Sequence, residues 1–276
     1  RLAARRAGGI PLVYTPHAFA FLCDPPLRGL YLACERWAAR RTDRLIAVSR
    51  EELGLACDPR RGLALPAARV RLIPNGIAPA GTPRPPRPPA PPVVGFVGRL
   101  CRQKGPDFFL AAARRLHAAS PGTRFRMVGD GPWRAWVERR IGRTGLSNCL
   151  AWRSVRDEIA VADELAGLDA VVLPSRWEGL PYTLLETMAA GVPLAAMASG
   201  GIADVVEDGV SGLLCPVGDV DGLASRTLAL LTDAALAQRL RAGAFKRLER
   251  YTLRGMVDAT AAVYEDLAAE RRAEST

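Results

Sequence analysis

The chain has 276 residues, 49% hydrophobic and 24% charged, enough to build two domains with a sizeable core and too apolar for a disordered chain. No apolar run approaches the ~18 to 20 residues of a membrane-crossing helix, and six scattered cysteines (Cys23, Cys34, Cys57, Cys101, Cys149, Cys215) without a Cys-x-x-Cys pair argue against a zinc site or disulfide framework and fit a reducing cytosol. The net charge is +10; residues 1–81 hold thirteen Arg against six acids, and with no nucleic-acid-binding motif this excess points to an anionic membrane surface rather than to nucleic acid.

In chain order, residues 10–15 (IPLVYT) predict a strand ending at Pro16-His17. Residues 27–42 predict an amphipathic helix with Leu30, Cys34, Trp37 and Ala38 inward and Arg28, Arg36 and Arg40 outward. A strand at 45–48, a helix at 50–56 capped by Ser49, and a strand at 70–73 closed by Pro74-Asn75-Gly76-Ile77 complete a parallel α/β pattern. Three strands are too few for a sheet with both faces covered, so residues 1–77 read as a partial N-terminal domain that lacks its front. Residues 78–92 are dense in proline and read as a stiff extended linker; an SH3-type ligand is the alternative for such a run.

A second domain spans residues 93–250. It opens with the strand VVGFV and a loop carrying Gly98, Arg99, Lys104 and Gly105, before a helix at 106–119. A strand at 125–128 ends in Gly129-Asp130-Gly131-Pro132, followed by a helix at 133–143, a strand at 150–152 and a helix at 155–166. After the segment 171–193, strands at 194–197 and 212–215 flank a short helix at 203–207, and residues 219–267 read as helical. Six strands alternating with helices make a full Rossmann-like unit, whose ligands bind outside the carboxyl ends of the strands. Arg99 and Lys104 lie in such a loop, where two cations can neutralise a diphosphate.

The most informative stretch is VVLPSRWEGLPYTLLETMAAGVP, residues 171–193. The apolar run Val171–Leu173 reads as a buried strand, Gly179 and Pro181 as a turn, Thr183–Ala190 as a helix, and Gly191-Val192-Pro193 as its stop. Glu178 precedes the helix and Glu186 lies inside it, about 12 Å apart or less at ~1.5 Å per residue. An extended ligand can thus meet a carboxylate at each end while its middle lies at the helix N-terminus, which favours phosphate.

This string resembles the Glu-x7-Glu signature of the retaining family 4 glycosyltransferases. The resemblance implies an α/β fold of two Rossmann-like domains facing a cleft (GT-B), the first incomplete here, with residues 251–276 as a helix crossing back to it. It implies transfer of a sugar from a UDP- or GDP-linked donor, with retention and without a metal or other cofactor, to a glycan or lipid-linked acceptor. Bacterial surface glycan synthesis in the cytoplasm, peripheral to the inner face of the membrane, would be the setting. By resemblance Glu178 contacts the donor sugar and Glu186 the ribose hydroxyls. Arg99 and Lys104, in a match to GR-L-x-x-x-K-G, hold the pyrophosphate. His17, in TPHAFAF, sits near the donor sugar and the acceptor. Gly98, Gly129, Asp130, Gly131, Gly179, Leu180, Pro181, Thr183 and Leu184 complete the expected donor site.

Other readings stay open at individual residues. His17 can simply cap its strand, and Asp130 can simply stabilise its turn. His117 shows no functional context. Asp219-Val220-Asp221 is formally a DxD diphosphate–metal motif, but it precedes a helix, which favours N-capping by Asp219. A sugar phosphorylase or epimerase on the same plan, and a nucleotide-sugar-binding remnant without catalysis, are the competing functions.

Overall fold

The computed structural model describes residues 10–22, 26–78, 91–154 and 158–274. Its chain divides into two units: one formed by described residues of Arg1–Ala78, Trp177–Leu180 and Tyr251–Thr276, the other by those of Pro79–Arg176 and Pro181–Arg250. Most of the proline-dense run 78–92 lies outside the described residues.

In the first unit a three-stranded parallel sheet forms from β1 (Val13–Tyr14), β2 (Arg44–Ala47) and β3 (Val70–Leu72), in that order. Helices α1 (Arg28–Ala39) and α2 (Arg50–Cys57) link the strands. β1 is shorter than the expected 10–15 because Pro11 and Pro16 bracket it and have no N–H to give a ladder. Ser49 caps α2, its Oγ accepting from Glu52 N at 3.2 Å. Phe19 and Phe21, stacked 4.8 Å apart, join Leu45, Ala47, Leu55 and Val70 in the core of this unit.

The expected inward face of α1 is wrong. Leu30 and Trp37 are 60% and 46% exposed and Cys34 is exposed too; of that face Ala38 alone is half-buried, and it joins Leu32, Glu35, Arg36 and Ala39 in the less exposed stripe. Apolar residues lie all round this helix, so polar partners decide its rotation. Arg36, expected outward, donates to the carbonyls of Pro59, Arg60 and Gly62, and Glu35 accepts from the Tyr14 hydroxyl at 3.2 Å. Three charge-assisted bonds outweigh exposure of two apolar side chains that keep part of their surface covered.

The second unit runs β4 (Val93–Val97), α3 (Pro106–Ala119), β5 (Arg124–Val128), α4 (Arg134–Thr144), β6 (Leu150–Arg153), α5 (Glu158–Ala166), β7 (Ala170–Leu173), α6 (Tyr182–Ala189), β8 (Leu194–Met197), α7 (Gly201–Val205) and β9 (Leu213–Cys215). Helices α8 (Val220–Thr232) and α9 (Ala234–Leu248) follow, N-capped by Asp219 and Asp233. The first residues of the expected 155–166 helix lie outside the described residues. All six strands are parallel, in the order β6-β5-β4-β7-β8-β9. Parallel strands covered by helices on both faces read as unbroken apolar runs, and Ala170–Leu173 and Leu194–Met197 are buried at every position. Phe96, Phe109, Phe125, Leu110, Leu116 and Met127 pack the centre of the core.

The last helix, α10 (Leu253–Glu274), belongs to the first unit. Ile77 exchanges backbone bonds with Tyr251 and Leu253, Val263 packs with Ile46 and Ile73, and Glu270 pairs with Arg44. Among the described residues no helix is long and apolar enough to cross a membrane, and the five described cysteines are free thiols.

Phe125 is 2% exposed and meets Phe109 edge-to-face at 6.5 Å. Phe125→Ala is expected to cost about 3 to 5 kcal/mol, read as a lowered midpoint in urea unfolding of the second unit.

Candidate functional site

Numbered from β4, the sheet of the second unit has strand order 3-2-1-4-5-6, which reverses direction between β4 and β7. At such a reversal the two following loops diverge and leave a crevice at their carboxyl ends. The loop after β4 carries Gly98, Arg99 and Lys104, and the loop after β7 leads into α6 with Glu186.

The two loops are tied to each other. Arg176 forks onto Asp107 with bonds of 2.8 and 2.5 Å, donates to the Arg102 carbonyl and lies over the Phe108 ring at 3.9 Å. Its backbone N–H bonds the Gln103 carbonyl at 2.8 Å. Gly105 caps α3 with φ +66°, and a Cβ there would stand 2.1 Å from the Pro174 carbonyl oxygen. Only glycine satisfies both demands, which explains the residue after Lys104. Arg99 is exposed and Lys104 half-buried on the loop so fixed.

The turn after β5 braces this loop from its other side. Leu100 N bonds the Asp130 carbonyl at 2.8 Å, and a Cβ on Gly129 would strike the Gly98 carbonyl at 2.1 Å. The glycines at 129 and 131 therefore serve backbone-to-backbone packing. Asp130 turns its carboxylate onto Gly131 N (2.7 Å), Ser154 Oγ (3.1 Å) and Arg134 (3.4 Å), the turn-stabilising alternative for that residue.

Helix α6 starts one residue earlier than expected. Pro181 stands at its N-cap in an extended conformation and no side chain caps that end. Tyr182 and Thr183 face outward in the first turn while Leu184 and Leu185 are fully buried, and Glu186 is half-buried one turn further on. An uncapped helix start directs N–H groups and a partial positive charge out of the sheet edge, which suits an anion. Gly98, Arg99, Lys104, Gly129, Asp130, Gly131, Pro181, Thr183, Leu184 and Glu186 are all residues of this second unit.

His17, Glu178, Gly179 and Leu180 group with the first unit. Asn75, 2% exposed, donates from Nδ2 to the Leu180 carbonyl at 2.7 Å. Gly179 lies against the backbone of His17 and Ala18, and Glu178 is 4% exposed. His17 and Ala18 hold φ of +49° and +95°, a backbone that costs non-glycine residues on the order of 1 to 3 kcal/mol each. His17 is an exposed residue, and partial desolvation of its imidazole lowers its pKa from 6.5.

Two residues that sequence reasoning passed over organise these groups. Glu52 is buried and bonds the Ala18 and Val48 N–H groups; its only local signal is the Ser49-x-x-Glu52 capping pattern. Arg176 carried no signal beyond standing in the loop. Asp219 does cap α8, accepting from Gly222 N at 2.8 Å, and Asp221 pairs with Arg115. His117 packs edge-on to Phe125 at 6.4 Å with its Nδ1 buried and unbonded.

Comparison with known proteins matches this geometry to the GT-B glycosyltransferases. Sucrose-phosphate synthase from Thermosynechococcus elongatus superposes with a TM-score of 0.84 over 98% of this chain and 71% of its own, at 23% identity. Anabaena HepE, solved with UDP and glucose, gives 0.80 over 96% and 76%, at 21% identity. The family described as "Glycosyl transferases group 1" matches residues 91–233 and "Glycosyltransferase Family 4" matches residues 1–81. The chain belongs to the group 1 glycosyltransferase family. It is 32% identical to a 2-deoxystreptamine glucosyltransferase of Streptomyces kanamyceticus over 87% of this chain, and 34% identical to a glycogen synthase of Mycobacterium tuberculosis, also over 87%. It spans 66% and 57% of the lengths of those two relatives.

Removing the cap with Asp219→Ala should destabilise the second unit by about 1 kcal/mol in urea, equally with and without Mn²⁺; stabilisation by Mn²⁺ that disappears in the variant would mark a metal role instead. For His17 the sign of the pH effect is set by its lowered pKa. The folded state resists protonation, so stability falls as pH drops below 6.5 towards the folded pKa, and His17→Gln should flatten that part of the stability–pH curve.

Proposed function

We propose that this chain acts as a retaining glycosyltransferase that moves a sugar from a UDP- or GDP-linked donor to an acceptor hydroxyl. The observation that carries this reading is the strand-order reversal between β4 and β7, whose carboxyl ends are followed by the braced loop bearing Arg99 and Lys104 and by the uncapped start of α6, the helix of Glu186. That HepE was solved in complex with UDP and glucose supports a diphosphate nucleotide as the ligand of such a site.

The chemistry this arrangement favours is electrostatic. As the bond from the anomeric carbon to the diphosphate oxygen breaks, charge builds on the leaving group, where Arg99, Lys104 and the α6 N–H groups can offset it. The acceptor oxygen bonds the same face of the anomeric carbon and its proton passes to the departing diphosphate, so no enzymic nucleophile is required. Glu186 takes the ribose hydroxyls, while His17 and Glu178 act at the sugar, as the family resemblance implies. Charge neutralisation by side chains and a helix end makes a metal unnecessary, and Asp219 and Asp221 are committed to a helix cap and an ion pair. The acceptor is a glycan or lipid-linked hydroxyl, in the cytoplasm or at the inner face of the membrane.

Calorimetric titration with UDP, GDP and uridine tests this. Glu186→Ala should weaken both nucleotides by roughly 1.5 to 3 kcal/mol. Arg99→Ala and Lys104→Ala should weaken UDP and leave uridine untouched. Failure of the unsubstituted chain to bind either nucleotide would remove the reading, and donor turnover abolished by a chelator and restored by Mn²⁺ would remove its metal-independent form.

A further inference from the structure

The first unit contains a buried acid that a simple helix cap does not account for. In a capping box the residue at the third helical position reaches back to the N–H of the cap itself. Glu52 occupies that position in α2, and Ser49 caps it in the ordinary way. Its carboxylate goes elsewhere: Oε2 accepts from Val48 N at 2.9 Å, and Oε1 accepts from Ala18 N at 2.5 Å, across 34 residues of sequence. The side chain is 1% exposed, and burial raises its pKa against the opposing pull of those two N–H groups.

Ala18 is where such a bond matters. It and His17 are two consecutive non-glycine residues with positive φ, a conformation the chain does not keep unaided. The third wall of the same seat is Gly179, where an added Cβ would stand 2.9 Å from Glu52 Oε1 and 3.0 Å from both Ala18 N and the His17 carbonyl carbon. Glycine at 179 lets the Trp177–Leu180 segment close on the turn, and Asn75 holds that segment through the Leu180 carbonyl.

We propose that Glu52 is a positioning residue for His17: its carboxylate grips the Ala18 N–H, locks the strained His17-Ala18 turn against Gly179, and so fixes where the imidazole points. For its catalytic consequence this rests on the reading of His17 as a residue at the donor sugar; the positioning itself does not.

The chain has only two histidines, His17 and His117, so imidazole NMR resolves both, with His17→Ala assigning the pair. In Glu52→Gln one carboxylate oxygen becomes an NH₂ that cannot accept from an N–H. The His17 titration midpoint is expected to rise towards 6.5 as the turn loosens, with His117 unmoved. Ser49→Ala removes the ordinary cap of the same helix and should lower the melting temperature without moving His17. Donor turnover should fall on the order of tenfold to a hundredfold in kcat in Glu52→Gln, with UDP affinity unchanged because that ligand's residues lie in the second unit. If Glu52→Gln does not fold, Gly179→Ala presses on the same seat with both caps of α2 intact and should raise the His17 midpoint. An unmoved His17 in a folded Glu52→Gln or Gly179→Ala chain, or an equal shift in Ser49→Ala, overturns the proposal. Absence of UDP binding in the unsubstituted chain overturns the donor-site reading alone, since the His17 titration needs no ligand.

Discussion

The pairing of β4 with β7 is the contact on which the second unit depends. Val94 pairs with Ala170 and Gly95 with Val171, joining two strands separated by more than seventy residues of chain. On one side the sheet grows through β5 and β6, on the other through β8 and β9, so this is the one junction where the crossovers run in opposite directions. Gly95 is part of the reason it can form, because a side chain there would run into Leu168. The arrangement at the carboxyl ends of the strands follows from that junction. It sets the loops after β4 and β7 side by side, and Arg176 with Asp107 and Gly105 with Pro174 convert proximity into a fixed shape.

That shape is held by close backbone packing and by bonds within turns. A Cβ at Gly105, Gly129 or Gly131 would strike neighbouring backbone, and Asp130 bonds the N–H of Gly131 in its own turn. Arg99 and Lys104 are left on a loop braced from two directions, which suits a site that must offset charge without reorganising.

The parallel α/β class, the strand sequence of the second unit, the loop that carries Arg99 and Lys104 and the helix that carries Glu186 were legible because each has a local cause. Helix 106–119 starts on proline and strand 194–197 is uniformly apolar, and both fall where expected. What was not legible depended on distant partners. The rotation of α1 follows from carbonyls at residues 59 to 62, and periodicity cannot see them when apolar side chains surround a helix. The burial of Glu52 depends on an N–H 34 residues away, so its S-x-x-E pattern announced a cap and nothing more. The shortening of β1 has its cause in Pro11 and Pro16, which an apolar run between them does not override.

The first unit is assembled from three separate stretches of chain, and this sets an order of events during synthesis. Its sheet strands leave the ribosome before the second unit does, yet Ile46 and Ile73 meet Val263 only after some two hundred further residues have been made. At translation rates of about 5 to 20 residues per second that interval is on the order of ten seconds or more. The second unit, interrupted only by Trp177–Leu180, can complete its own core within it. Of the two units, the one whose strands are made earlier is thus completed later, and its apolar sheet face must be shielded meanwhile by something other than the helix of Val263.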